Sequence, residues 1–369
     1  MDGSVRSPLL ATLTASLVAV TGCEAPPTEP RCEPRGSAPL RVGVAHVAGD
    51  YAPSTDVPFL AAGTRDAARL GARSLKVYLT PEYATKYPKA GGWAPVRSLA
   101  ELAATPDFRA VFAQPFDTFV VTTYSFSLGV GDPWRTSDDE ALYRAEADEL
   151  EALTRHLLST WAGSGKRFIL QNWEGDWALL GGGPRDQARD PARARRMARW
   201  LAARQAGVAR AREAVPAVGV SVTHAVEVNL VLDEAGPRVL TDVLPLTCVE
   251  AVSYSSWEAL AVDTARALPE QQERISARLE RAVDRIRGVV GEQVEVYLGE
   301  VGFAEREHPA GHVAPLLRAT LSTAERLALS NVIYWQIYDN ECDASGCRGL
   351  WLVRPDGTPG DAAGVLAAR

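Results

Sequence analysis

The feature that most constrains this chain is a repeated alternation. Short β-rich runs are separated by longer segments of helical periodicity, the pattern produced when parallel strands are joined by crossover helices. The runs are RVGVAH (41–46), SLKVYL (74–79), TFVVTTY (118–124), RFILQN (167–172), VGVSVTH (218–224), CVEAVSY (248–254), VEVYLGE (294–300) and NVIYWQIY (331–338). Amphipathic stretches lie between them at 59–72, 98–113, 138–162, 269–290 and 313–330, each with an apolar stripe opposite charges. Eight such strands close a (β/α)8 barrel, so the expected fold is an α/β TIM barrel forming one domain over residues 40–369. A doubly wound open sheet is the structural competitor, and it ordinarily carries a phosphate loop. AGSGKR (162–167) lacks the first glycine and runs into a strand, whereas phosphate binding needs a helix N-terminus; GVGDPW (129–134) lacks the third glycine. Nucleotide binding is set aside.

The first forty residues read differently. Arg6 precedes LLATLTASLVAV (9–20), an apolar stretch too short to span a bilayer but suited to a secretory leader, giving a signal peptide over 1–22. VTGC (20–23) resembles the bacterial lipobox, and that resemblance implies that Cys23 is lipidated. The proline-rich segment that follows makes 23–39 an extended tether. The expectation is an exported protein of the bacterial cell envelope whose only membrane contact is this anchor. Export permits disulfides, and CDASGC places Cys342 and Cys347 at the ends of a short loop, the expected bridge; Cys248, opening a predicted strand, reads as a buried thiol. No cysteine spacing resembles a zinc site, and in HPAGH the residues Pro309 and Gly311 oppose the helix that would bring His308 and His312 to one face, so no metal and no cofactor are expected.

Net charge is −7, from 39 basic and 46 acidic residues, which offers no general attraction for phosphate backbones and excludes nucleic acid as a default partner. The arginine-rich stretch 185–212 has apolar residues at helical spacing and reads as a solvated helix face.

In barrels of this kind the site is assembled at the carboxyl ends of the strands. Those ends supply His46, Tyr78, Tyr124, Asn172 with Glu174, His224, Tyr254, Glu300, and Trp335 with Asp339. Glu174 follows the fourth strand and Glu300 ends the seventh, on opposite sides of the mouth. Two facing carboxyls can divide roles, one kept protonated while the other stays ionised. Glycosidic cleavage requires that division.

Glutamates ending strands four and seven, YLGEVGF (297–303) around the second, and the aromatic YWQIYD on strand eight resemble the glycoside hydrolase clan A barrels over about residues 40–355. The resemblance implies a retaining double displacement on an oligo- or polysaccharide, with Glu174 as acid/base and Glu300 as nucleophile. It also implies that Tyr254 hydrogen-bonds the nucleophile and that Trp335 forms a sugar platform. GLWLVRPDGTP (349–359) is similar to the closing segment of such enzymes. The chain departs from the pattern at one place: the clan has Asn directly before the acid/base, whereas Trp173 stands between Asn172 and Glu174. Either a bulge restores the geometry, or Asn172 has another role, or the acid is Asp176.

Sugar faces stack on flat rings, and Trp173, Trp177, Trp257 and Trp335 lie near strand ends, whereas Trp161 and Trp200 sit on helical stripes. Two other classes remain beside the hydrolase. One is a noncatalytic carbohydrate-binding surface lipoprotein on the same scaffold; the other, a barrel esterase or amidase, lacks a GxSxG elbow or a metal motif to supply its nucleophile.

Overall fold

The computed structural model describes residues 39–53 and 57–368. The expected leader over 1–22, the expected anchor Cys23, Cys32 and the expected tether up to residue 38 lie outside the described residues. Eight parallel strands close a barrel in the order of the sequence: β1 (Arg41–Ala45), β2 (Ser74–Leu79), β3 (Thr118–Thr123), β4 (Lys166–Gln171), β5 (Val220–Val228), β6 (Ala251–Ser255), β7 (Glu295–Val301) and β8 (Asn331–Tyr334), with β8 pairing back onto β1. Among the described residues no helix is long and apolar enough to cross a membrane.

Helices sheathe the barrel where the amphipathic stretches predict them, with one break. The stretch 98–113 forms two helices, Leu99–Ala104 and Pro106–Ala113. Pro106 has no N–H to continue the first helix; it occupies the first turn of the second, which Thr105 caps through its hydroxyl on the Phe108 amide at 3.4 Å. The arginine-rich helix Pro191–Ala214 starts at Asp190, whose carboxylate accepts from the Ala192 and Arg193 amides, both at 3.0 Å. Its face is not wholly solvated, because Arg204 is completely buried against the barrel wall.

Side chains alternate in and out along each strand, so one placed residue fixes the rest. On the outer faces Phe119, Val121, Phe168, Leu170, Val226 and Val252 build the apolar layer beneath the helices. The inner faces carry Lys76, Tyr78, Gln171, Glu227, Ser253, Ser255 and Tyr297, most of which are joined by hydrogen bonds across the lumen. β7 breaks the alternation. Tyr254 pairs with Leu298 but Ser255 pairs with Glu300, so Gly299 is the extra residue of a bulge. A Cβ on Gly299 would stand 1.8 Å from Ser253 Oγ and 2.7 Å from Glu227 Oε2. The bulge therefore turns two successive positions inward, and glycine keeps the first from filling the space the polar groups occupy.

Candidate active site

A cavity of about 630 Å3 opens at the carboxyl end of the strands, with Glu174, Trp177, Asn229, Ser255 and Trp257 in its wall. Glu300 lies directly behind Ser255 and Trp257, 2% exposed. Three donors converge on its carboxylate: Lys76 Nζ at 2.8 Å on Oε1, and Trp257 Nε1 at 2.9 Å and Ser255 Oγ at 3.1 Å on Oε2. All three need an acceptor, and a carboxylate offers it.

Glu174 follows β4 in the left-handed conformation, with φ of 41°, so Trp173 is accommodated by a sharp turn of the chain. Gly175 allows that turn to lie against β5, since a Cβ there would meet the Glu227 carbonyl oxygen at 2.5 Å. The Glu174 carboxyl accepts from Asn229 Nδ2, a neutral donor, at 3.2 Å. Burial, followed by the nearby charges of Glu300 and Glu227, pushes its pKa up to about 9, against a smaller opposing effect of Lys76. Two carboxyls thus share one end of the barrel in different environments: Glu300 is held by a cation and two further donors, Glu174 by a neutral amide.

Beneath them are two charged groups that the strand-end reading missed. Lys76 on β2 and Glu227 on β5 are fully buried, with Lys76 Nζ 3.1 Å from Glu227 Oε2 and 2.8 Å from Glu300 Oε1. Burial alone lowers the Lys76 pKa, but the two carboxylates outweigh it and the net direction is upward; burial raises that of Glu227, opposed by Lys76. Each is the one formally charged residue of a buried run, SLKVYL and HAVEV. A lone charge in a buried strand must find a partner, and the two runs carry that signal in their residues alone.

The remaining predicted residues divide. Tyr78 is buried with its hydroxyl unpartnered among the described residues, and burial followed by the charges of Glu300, Glu227 and Glu174 raises its pKa well above the usual value. Tyr124 donates to the Trp173 carbonyl at 3.2 Å and so steadies the turn that carries Glu174. Asn172 accepts from the Glu227 amide at 3.1 Å, leaving its buried Nδ2 without a partner among the described residues. Trp335 directly follows β8, its ring 5.8 Å from Lys76 Nζ, and Trp177 lies under the Arg185 guanidinium at 4.8 Å on the cavity wall.

Of the predicted contacts Trp177 and Trp257 line the cavity itself, and five serve elsewhere in the fold. His46 packs among Phe59, Tyr87 and Tyr338, where burial lowers its pKa to about 4. His224 faces outward on β5, because Glu227 faces inward three positions later, and meets Arg204 at 3.3 Å. Tyr254 faces outward between Ser253 and Ser255, so its hydroxyl donates to Glu258 at 3.1 Å and not to Glu300. Asp176 accepts from the Asn229, Leu230 and Val239 amides at 2.7, 3.1 and 2.8 Å, and serves to join the β4 and β5 loops. Asp339 accepts from the Glu341, Gly349 and Leu350 amides and fixes the segment closed by the Cys342–Cys347 disulfide. Cys248, read as a buried thiol, is exposed, since it precedes β6.

No family model and no curated protein sequence matches this chain. Solved structures do. A GH5_18 protein from Streptomyces cattleya, in complex with Manβ1-4GlcNAc, superimposes with a TM-score of 0.58 at 17% identity, over 89% of this chain and 79% of that one. A GH5_18 protein from Bifidobacterium longum subsp. infantis gives 0.57 at 17%, over 89% and 78%. XEG5A, a GH5 xyloglucan-specific endo-β-1,4-glucanase from a metagenomic library in complex with cellotriose, gives 0.54 at 11%, over 89% and 96%. The chain has the fold of the GH5 barrels. On such a barrel the site described above occupies the face at the carboxyl ends of the strands, where (β/α)8 enzymes assemble their chemistry.

Proposed function

We propose that this chain is an exported, retaining glycoside hydrolase with Glu174 as acid/base and Glu300 as nucleophile, tethered to the bacterial envelope through a lipidated Cys23. The observation that carries the reading is the unequal pair: a Glu174 carboxyl whose pKa is pushed up to about 9 beside a Glu300 carboxylate held by Lys76, Ser255 and Trp257. In the first step a Glu300 oxygen bonds to the anomeric carbon while the bond to the leaving oxygen breaks, and that oxygen takes the Glu174 proton. In the second, a water oxygen bonds to the same carbon, the water proton passes to Glu174, and Glu300 departs as carboxylate. The polar lumen and the tryptophans of the cavity suit a sugar ring. The sugars held by the structural neighbours, Manβ1-4GlcNAc and cellotriose, make β-1,4-linked mannosides and glucosides the first substrates to try.

Screening the soluble body against an oligosaccharide panel, with the anomer of the product followed by NMR and the glycosyl-enzyme trapped by a fluorosugar for intact mass, tests the reading. Turnover with retention is expected. Glu300→Gln should lose the adduct and on the order of 10^4-fold in kcat while keeping its melting temperature. Glycan binding that survives loss of both glutamates, with no turnover on any member of the panel, would instead identify a carbohydrate-binding lipoprotein.

A further inference from the structure

Among the described residues, Glu227 is the acidic group that bonds Glu174 directly and reaches Glu300 through a shared lysine. Its Oε1 accepts from the Glu174 amide at 2.9 Å, and its Oε2 accepts from Lys76 Nζ at 3.1 Å, the ammonium that also holds Glu300. Gln171 Nε2 at 2.7 Å and Ser253 Oγ at 2.8 Å complete four donors on a carboxylate that solvent does not reach. Its own amide donates to Asn172 Oδ1 at 3.1 Å, so β5 and the turn after β4 are joined from both sides. Gly299 and Gly175 supply the room, because a Cβ on either would strike Glu227 or a group bonded to it. Several independent features of the chain therefore converge on this side chain, which is too deep to touch a sugar.

We propose that Glu227 is a positioning residue that orients Glu174 through its backbone and remains the permanent counter-ion of Lys76 while negative charge moves between Glu300 and Glu174. This rests on the hydrolase reading above. Before reaction the cluster holds one ammonium, two carboxylates and one protonated carboxyl. When Glu300 forms the ester it loses its charge, and Glu174, having given its proton to the leaving oxygen, gains one. The total is unchanged. Without Glu227, Lys76 would lose the acidic partner it keeps in the intermediate, and Glu174 would titrate with one negative neighbour fewer beside the same cation. The groups that face Glu174 are Lys76 and Tyr78 from β2, Glu227 and Asn229 from β5, Glu300 from β7 and Glu341 beyond β8; Tyr124 and Tyr297 lie near Glu227.

The experiment follows the Glu174 side-chain carboxyl by 13C NMR across pH in the intact body, its signal assigned by its absence in Glu174→Gln. In Glu227→Gln the midpoint should fall by about one pH unit or more, because a negative charge is removed and the cation remains; Glu227→Asp should bring it back toward the wild-type value. In steady state Glu227→Gln should lose about 10^2-fold in kcat with KM little changed, the signature of misplacement rather than lost binding. An unmoved midpoint overturns the proposal. Should Glu227→Gln fail to fold, the wild-type chain still decides: the Glu227 signal must stay at its ionised position through the Glu174 titration, and a Glu227 that takes up the proton instead overturns it. These titrations need no substrate, so a chain that hydrolyses nothing would end the hydrolase reading without touching their outcome.

Discussion

Two buried ionic clusters stand on opposite sides of β5, and they differ in charge balance and in access to solvent. Outside the strand, Arg204 bonds Glu146, Thr123 Oγ1 at 2.6 Å and His224 Nε2 at 3.3 Å, while Ser125 Oγ donates to Glu146 at 2.6 Å. One cation meets one carboxylate, and burial followed by the charge of Arg204 lowers the His224 pKa well below its usual value, which keeps the ring neutral. This cluster is balanced and sealed between the helices Glu140–Thr160 and Pro191–Ala214 and the barrel wall. Inside the strand, one cation, Lys76, meets Glu227 and Glu300, and a third carboxyl, Glu174, lines the open cavity. The inner cluster has more acid than base and a route to solvent. Surplus acid in low dielectric forces one group to keep its proton, which is a cost in a structural cluster and a resource in a catalytic one.

The contrast is broken or upheld most directly by removing each cation. Arg204→Met and Lys76→Met each leave a buried carboxylate without its partner, and each should lower stability by about 3–5 kcal/mol in denaturant titration. Activity should separate them. At a temperature where both remain folded, Arg204→Met should keep kcat within about threefold, whereas Lys76→Met should lose about 10^2-fold or more, the usual result of deleting one electrostatic contact in a site. Equal losses in the two variants would mean that both clusters serve only the fold.

The same strand shows what the sequence could disclose. The alternation of runs and amphipathic stretches placed all eight strands, and the strand-end rule located Glu174 and Glu300 at one mouth. Listing strand ends without their parity, however, brought in His224 and Tyr254, which face outward. Parity was recoverable at β5 from Glu227, since an isolated carboxylate and a histidine three positions apart cannot share a face of a strand. It was not recoverable at β7, where the bulge at Gly299 resets the alternation and only the pairing register reveals it. Asp176 and Asp339 misled for another reason: loop carboxylates that collect backbone amides look in sequence like those that face a cavity.

Surplus acid also predicts a pH signature that the outer cluster lacks. With the pKa of Glu174 pushed up to about 9, kcat/KM should fall about tenfold per pH unit above that value, and Glu174→Gln should show no such limb. Stability should carry the same mark. Above the ordinary carboxyl value of 4.5 the unfolded chain has released a proton that native Glu174 still holds, so this group makes the fold less stable as pH rises from there toward 9. Glu174→Gln should flatten that decline, measured as melting temperature against pH, whereas Arg204→Met should leave its slope unaltered.

The smallest expected effect lies at Tyr254, and it sharpens the boundary between inner and outer faces. If the clan A resemblance governed this position, the hydroxyl would hold Glu300 and Tyr254→Phe would damage turnover. The structure gives that duty to Ser255 Oγ and Trp257 Nε1, and turns the tyrosine toward Glu258, which also accepts from the Leu232 amide at 2.7 Å. Tyr254→Phe should therefore cost about 1 kcal/mol of stability, the ordinary worth of one hydrogen bond, and change kcat by less than about threefold, while Trp257→Phe, which removes a donor from Glu300 itself, should cost about tenfold or more. The two substitutions lie three positions apart on one chain segment, so a large loss at Tyr254 with little at Trp257 would show that the face assignment of β6 is reversed.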